Sequence, residues 1–200
     1  MSDDTFALTS PLVAAGGASQ HWPTPSWVIE RLWAVGLERG WWQGCASVLD
    51  PACGEGQILS TLRPRGLRTV GLELDPARAE LARQAGHQVE TCDALAASWP
   101  DADLLVMNAP YGSLAVPFMR AALAWRERVD GRRVCALYHL SFLDPLGGRA
   151  ALFSRMPPDV VHLARRPKFG TVGTNAIGSA WYCWPGTGGP GESRNVWASP

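Results

Sequence analysis

Three acidic residues end consecutive segments of the chain that read as buried strands: Asp50, Glu73 and Asp93. Asp50 begins a turn, residues 50–56 (DPACGEG), whose two glycines let the backbone approach a ligand closely. Glu73, roughly twenty residues after this turn, stands where a carboxylate can accept hydrogen bonds from both hydroxyls of a ribose. Asp93 would lie beside an adenine amino group. Each acid alone could instead cap a helix or a turn, because aspartate favours both places.

The turn after the first strand differs from the glycine loops that bind phosphate. Asp50 and Pro51 occupy the place of the first glycine of GxGxxG, and no Lys-Ser/Thr pair follows. A neutral or cationic ligand therefore fits this turn better than pyrophosphate does.

A fourth strand ends in Asn108-Ala109-Pro110-Tyr111, which combines hydrogen-bond acceptors with a flat ring. The exocyclic amine of a nucleic-acid base is a poor nucleophile, so a site that uses it as one needs acceptors against its hydrogens. The side-chain oxygen of Asn108 and the backbone carbonyl of Ala109 can serve as those acceptors. Tyr111 offers a ring for stacking, and Pro110 restricts the turn. Taken alone, the tetrapeptide could also be a plain strand-to-loop turn.

The elements that position these residues alternate regularly between strand and helix. Helices are predicted from Thr24-Pro25-Ser26, from Gln57, from Pro76, over Leu114 to Val129 and over Arg149 to Met156. The predicted strands are Ser47 to Asp50, Arg68 to Leu74, Gln88 to Thr91, Asp103 to Met107, Arg133 to His139, Val160 to Ala164 and Ala180 to Trp184. This alternation predicts a mostly parallel α/β sheet covered by helices on both faces.

These segments, in this order, resemble the class I S-adenosylmethionine-dependent methyltransferases, and most closely the small phage and bacterial enzymes that modify adenine N6 in DNA. The family's DPACGxG loop is matched by Asp50 to Gly56, and its N/D-P-P-Y/F loop by Asn108 to Tyr111. Its TPxxVxxxL segment is matched from Thr24 to Leu32. The late run Arg166 to Phe169, followed by Ala180-Trp181-Tyr182, also resembles small members of the family.

The resemblance implies a Rossmann-like fold, a seven-stranded sheet with an antiparallel last strand, and S-adenosylmethionine as the cofactor. It implies chemistry at Asn108, Ala109, Pro110 and Tyr111, contacts of the target base with Tyr111 and Phe169, and no metal. The residues expected at the cofactor are Thr24, Pro25, Asp50, Ala52, Gly54, Gly56, Glu73, Leu74, Asp93, Ala94 and Asn108.

Two departures from the family pattern limit what the resemblance implies. Ala109 stands where the family usually has proline, which keeps the backbone carbonyl but relaxes the loop. The chain also has no room for the long target-recognition region of sequence-specific members, so recognition is expected to be short-range or supplied by a separate partner. The substrate is expected to be nucleic acid, DNA before RNA. Protein glutamine and a non-catalytic accessory subunit stay open as alternatives.

The composition of the chain limits the partners, the compartment and the domain organisation that can be expected. The 200 residues are 46% hydrophobic and carry a formal net charge of zero, so affinity for nucleic acid must come from local basic patches. The chain has no apolar run of the ~20 residues that span a membrane, and its acidic start lacks the charge of a secretory signal. A cytoplasmic enzyme is expected, with a mobile arm over 1–20, a methyltransferase domain over 21–185 and a disordered tail over 186–200.

The four histidines are expected to have structural roles, and one tryptophan pair is expected to differ from the others. His21, His87, His139 and His162 are scattered along the sequence and suggest no catalytic dyad. Trp41 and Trp42 are adjacent and could form a contact surface, because adjacent aromatic residues cannot both face inward on a regular element.

Overall fold

The computed structural model describes residues 23–144, 148–168, 178–186 and 195–198, the last of these as backbone only. Its helices are α1 (Ser26–Glu38), α2 (Gln57–Leu62), α3 (Pro76–Gln84), α4 (Ala115–Glu127) and α5 (Arg149–Arg155). Its strands are β1 (Ser47–Asp50), β2 (Arg68–Glu73), β3 (Gln88–Thr91), β4 (Leu104–Met107), β5 (Arg133–His139), β6 (Asp159–Leu163), β7 (Ser179–Trp184) and β8 (Asn195–Ala198). No helix in these ranges is long and apolar enough to cross a membrane.

The strands form one sheet in the order β3-β2-β1-β4-β5-β7-β6-β8. Strand β7 is antiparallel to both of its neighbours, and every other recorded pair is parallel. The predicted, mostly parallel α/β architecture is therefore confirmed, and β7, the last of the seven predicted strands, is antiparallel as expected. All seven lie within a few residues of their observed bounds, and β8 is an eighth strand that was not predicted. The carboxyl ends of β1, β2, β4, β5 and β6 share one edge of the sheet.

Strand β8 corrects the expectation of disorder over 186–200. Asn195–Ala198 pairs in parallel with β6, from Val160 opposite Asn195 to Leu163 opposite Ala198. A composition rich in Gly and Pro argued for disorder, but it carried no information about the open edge of β6, whose backbone groups need partners. Residues 187–194 and 199–200 of this tail, and the predicted arm over 1–20, lie outside the described residues.

Two hydrophobic layers hold the helices against opposite faces of the sheet. Alternate strand residues belong to alternate layers, as the two-residue period of a strand requires. The layer under α1 and α2 includes Val48, Val106, Leu137 and Trp181. The layer under α4 includes Leu49, Leu105, Tyr138 and Tyr182. The indole nitrogen of Trp181 also donates to the Val28 carbonyl at 3.1 Å, which fixes the first turn of α1 over the sheet.

The Trp41-Trp42 pair packs inward, against the expectation of a contact surface. Both residues are buried, at 2% and 7% exposure. Trp42 stacks on Trp33 with 5.4 Å between ring centroids, and its indole nitrogen donates to the Trp33 carbonyl. The expectation was wrong because the pair lies in a turn after α1 rather than on a regular element.

Gly71 marks the closest approach between β2 and the turn that follows β1. A Cβ at this position would lie 2.6 Å from Cys53 Sγ and 3.2 Å from Leu59 Cδ1. Gly71→Ala is therefore expected to lower the free energy of unfolding by about 1–3 kcal/mol, measured by urea denaturation. Adding Cys53→Ala should recover part of that loss, because it removes the nearest atom. Equal stability of Gly71→Ala and the unmodified protein would contradict this packing.

Candidate active site

A cleft of about 850 Å³ opens at the carboxyl edge of the sheet. Crevices outside the carboxyl ends of parallel strands are where α/β proteins bind ligands. The cleft brings together most of the residues predicted at the site, namely Thr24, Asp50, Ala52, Gly54, Glu73, Leu74, Asp93, Ala94, Asn108, Ala109, Pro110 and Tyr111. Pro25 and Gly56 do not line it. Phe169, the predicted second contact of the base, lies outside the described residues.

The turn after β1 is shaped by two glycines with left-handed backbone angles. Gly54 has φ 54° and Gly56 has φ 86°, a region that residues with a side chain rarely adopt. Gly56 also begins α2, and a Cβ there would lie 2.8 Å from the ring of His87. The turn holds the Gly54 backbone nitrogen 2.8 Å from Glu73 Oε2. Gly56 therefore acts through loop shape, since it lies behind the cleft surface.

The carboxylate of Glu73 links the two strand ends and is nearly saturated with donors. Its Oε1 accepts from the backbone nitrogen of Asp75 at 2.9 Å and from Arg78 Nη2 at 3.0 Å. Its Oε2 accepts from Gly54. A carboxylate has about four acceptor positions, so Oε2 keeps room for one more donor. Sequence reasoning assigned two ribose hydroxyls to Glu73 and missed Arg78, which lies in the first turn of α3.

Asp50 is the most deeply buried acid of the cleft, with 1% exposure. Burial raises the pKa of this carboxyl to about 7, the charge of Glu73 adds to the rise, and the hydrogen bond from the Ala52 backbone opposes it. That bond joins Ala52 N to Asp50 Oδ1 at 3.1 Å. Near neutral pH the group is divided between its charged and neutral forms, and a nearby cation would favour the charged one.

Asp93 lies at the outer end of the cleft and is exposed. Its Oδ1 accepts from the backbone nitrogen of Leu95 at 2.9 Å, the local bond of an aspartate turn. The turn that was weighed as an alternative to ligand binding therefore exists. The turn uses one carboxylate oxygen of Asp93, and the buried Ala94 beside it forms an apolar part of the cleft wall.

Asn108 lies at the centre of a hydrogen-bonded row that crosses the cleft. Its Nδ2 donates to Thr24 Oγ1 at 3.0 Å, and its Oδ1 accepts from the Tyr111 hydroxyl at 3.0 Å. The bond to Thr24 orients the amide, so the acceptor oxygen faces Tyr111. Thr24 is buried at the start of α1, where Trp181 holds the helix, so a residue 84 positions away in sequence fixes the orientation of Asn108.

An aromatic wall continues from Tyr111 along the end of β5. Tyr111 meets Tyr138 edge-on, with 5.7 Å between centroids, and lies 4.8 Å from the His139 ring at a 39° tilt. Tyr138 in turn stacks on Phe142 at 4.3 Å. Burial raises the pKa of the Tyr111 phenol and lowers the pKa of His139, so both are neutral near pH 7. Sequence reasoning missed the place of His139, although the end of the strand beside β4 was a usable signal.

A metal site has no support in the described ranges, where no group of three His, Cys, Asp or Glu side chains could hold an ion. The five cysteines are free thiols, and three of them, Cys53, Cys135 and Cys183, are buried. The polar side chains that line the cleft are carboxylates, an amide and a phenol, among them Asp50, Glu73, Asn108 and Tyr111.

Several solved structures share this architecture over most of the chain. The modification subunit of a provisionally assigned type I restriction enzyme from Vibrio vulnificus superimposes with a TM-score of 0.62 and 16% identity, over 92% of this chain and 47% of that one. A provisionally assigned RNA methyltransferase from Pyrococcus horikoshii gives 0.59 and 16%, over 84% and 90%. An RNA methyltransferase from Salinibacter ruber, solved with S-adenosylhomocysteine, gives 0.51 and 20%, over 81% and 92%.

The chain has the class I methyltransferase fold. At identities of 20% and below, the comparisons show this fold alone. The chain spans about half the length of the Vibrio subunit. No protein-family model and no curated protein sequence matches the chain.

Proposed function

We propose that this protein is an S-adenosylmethionine-dependent methyltransferase that acts on the exocyclic amine of a nucleic-acid base, adenine N6 in DNA first. The observation that carries the proposal is the oriented Asn108 amide, whose Oδ1 accepts a 3.0 Å hydrogen bond in the cleft. An acceptor held at this point is what an amine donor needs.

The cleft fits S-adenosylmethionine in size and charge. Its volume of about 850 Å³ lies in the range of small-molecule sites. Asp50 and Thr24 would hold the methionine portion, Glu73 the ribose through the open position on Oε2, and Asp93 with Ala94 the adenine. The acids complement the positive charges of this cofactor, whose sulfonium supplies an activated methyl group. The product of this cofactor, bound in the Salinibacter neighbour, supports the same choice.

The chain's own residues would bind and orient the amine rather than activate the methyl group. Asn108 Oδ1 and the Ala109 carbonyl would accept its two hydrogens, so that the nitrogen lone pair points along the cleft. The Tyr111 hydroxyl holds Oδ1 in the free protein, and it must give way to the incoming amine. Because the bond to Thr24 uses the other end of the amide, the acceptor keeps its direction during this exchange.

A base is favoured over other amines by the aromatic wall beside Asn108. Tyr111 offers a ring face to a heteroaromatic acceptor, backed by Tyr138 and His139. Adenine in DNA is proposed from the order of the motifs, and the Vibrio neighbour is described as the modification subunit of a provisionally assigned type I restriction enzyme. An RNA base is the second candidate, because the other two neighbours are described as RNA methyltransferases.

The experiment incubates the protein with methyl-labelled S-adenosylmethionine and with DNA, RNA or a protein lysate. Label in DNA supports the proposal, and label in RNA alone moves the substrate to the second candidate. Label only in protein contradicts a base target. Transfer to none of the three, from a protein that binds the cofactor, would favour an accessory subunit.

Cofactor binding is expected to depend on pH through Asp50. Because the pKa of Asp50 is raised to about 7, this group must lose a proton before it pairs with the cofactor's cationic amine. Affinity should therefore rise with pH from about 5.5 to 7, by up to roughly tenfold per unit, measured by calorimetry. Asp50→Asn should bind more weakly with a flat profile. The same slope in both proteins would contradict this assignment.

A further inference from the structure

The short segment after β6 carries three basic residues to the edge of the sheet where the cleft opens. Strands β5 and β6 both run antiparallel to β7, so they are parallel to each other. The chain that leaves β6 at Leu163 is therefore at the carboxyl edge. Arg165, Arg166 and Lys168 follow within five residues, and all three are exposed.

The other two basic clusters of the sequence lie at the opposite edge. Arg63 and Arg65 form the short helix just before β2, and Arg68 is the first residue of that strand. Arg126, Arg128, Arg132 and Arg133 lie between the end of α4 and the start of β5. These clusters lie at the amino ends of parallel strands, whereas the cleft lies at the carboxyl ends.

The segment after β6 is anchored rather than free. Arg165 places its guanidinium 4.3 Å from the ring centre of Trp27, a cation–π contact on the first turn of α1. Pro167 is buried between its two basic neighbours. Trp27 follows Thr24 by three residues, a chain length of at most ~11 Å, and Thr24 bonds to Asn108. The basic segment is thus linked to the centre of the cleft through α1.

These three cations have no carboxylate partner among the described residues. By contrast, the described residues Arg78, Arg83, Arg132 and Arg155 each pair with an acid. The cleft wall itself is acidic because it contains Asp50, Glu73 and Asp93. The positive charge of the segment after β6 therefore suits a ligand other than the cofactor. Anchored, unpaired cations beside an aromatic cleft are suited to the phosphates of a polyanion.

We propose that Arg165, Arg166 and Lys168 bind the phosphodiester backbone of the nucleic-acid strand whose base enters the cleft. The proposal rests on the proposed function and adds the surface that holds the substrate. It also accounts for binding by a chain of zero net charge, since the phosphate contacts are concentrated at the one edge where the base must enter.

The test compares two double variants that remove the same charge. Arg165→Gln with Arg166→Gln alters the proposed surface. Arg65→Gln with Arg128→Gln is the matched control at the far edge, and it also removes one arginine that stacks on a tryptophan, because Arg65 lies 5.2 Å over Trp33. Binding of labelled DNA and RNA oligonucleotides is measured by fluorescence anisotropy from about 50 to 200 mM KCl, and thermal melting confirms that both variants fold.

The proposal predicts that the first variant loses at least tenfold in affinity. Its slope of log K against log salt should fall by about 0.7–0.9 for each lost contact, while the control stays near the unmodified protein. Whichever polymer, DNA or RNA, shows the difference is the bound one. Equal losses in both variants, no loss in either, or no binding of either polymer by the unmodified protein would overturn it.

Methyl transfer separates this proposal from the proposed function. If the unmodified protein methylates an oligonucleotide and the first variant keeps its KM, the phosphate surface is wrong and the function stands. If the first variant raises KM for the oligonucleotide and leaves the affinity for S-adenosylmethionine unchanged, both are supported. Oligonucleotide binding that depends on Arg165 and Arg166, without methyl transfer, supports the surface and contradicts the function.

Discussion

Asn108→Ala is expected to lower kcat for methyl transfer about 10²–10³-fold and to weaken binding of S-adenosylmethionine by a much smaller factor. The loss follows from removing one positioned acceptor of the target amine, by analogy with the removal of one oxyanion-hole donor, which costs about 10²–10³-fold in kcat. The free protein shows the acceptor in place, since Oδ1 takes a hydrogen bond from Tyr111. Single-turnover transfer and calorimetry of the cofactor measure the two quantities.

Two further variants make the Asn108 result specific. Asn108→Asp keeps an acceptor oxygen at the same distance from the backbone, so it should retain more activity than alanine does. Gln84→Ala removes an exposed amide of α3 that bonds to Glu80, and it should keep kcat within about twofold. A kcat for Asn108→Ala within threefold of the unmodified protein would contradict the role of Asn108.

Glu73→Ala is expected to weaken binding of S-adenosylmethionine by at least about 100-fold. It removes the proposed hydrogen bond from the ribose, and hydrogen bonds to a charged group contribute about 1.5–3 kcal/mol. It also frees three donors now held by the carboxylate, including the Gly54 nitrogen at 2.8 Å and Arg78 at 3.0 Å. The turn that faces the cofactor would lose its support. Calorimetry measures the loss.

Glu73→Gln and Glu80→Ala separate binding from folding. Glutamine preserves the shape of the side chain but not its charge, so binding should fall by about tenfold. Glu80 is 56% exposed on α3 and pairs only with its helix neighbours in the described contacts, so its alanine variant should bind normally. Unchanged affinity of Glu73→Ala in a folded protein would show that the ribose lies elsewhere.

The sequence predicted the strands and their acidic ends because that information is local. Val48 and Leu49 lie within one strand, Asp50 ends it, and the glycines follow at once. Gly54 and Gly56 do form the predicted turn, and their backbone angles are left-handed. The places of Asp50, Glu73, Asp93 and Asn108 at one edge then follow from parallel strand order. Their roles as ligands stay predictions.

Features that depend on distant parts of the chain escaped the sequence. The bond from Asn108 to Thr24 spans 84 positions, and no local pattern encodes which end of an amide will face a cleft. The bond from Arg78 to Glu73 spans only five positions, but it depends on the direction in which the chain turns from β2 into α3. His139 was expected to have a structural role because its ring contact, Tyr111, follows β4 while His139 ends β5, and the sequence does not show that the two meet. Strand β8 needed the open edge of β6 as its template.

The identity of the modified nucleoside is the most direct test of adenine N6 methylation in DNA. DNA that lacks methylated bases is incubated with the protein and S-adenosylmethionine, digested, and analysed by mass spectrometry, with Asn108→Ala in parallel. We expect N6-methyldeoxyadenosine to form with the unmodified protein and to fall at least about 100-fold with the variant. Methyl groups only on ring carbons or on protein, or a product that forms equally well without the Asn108 amide, would contradict it.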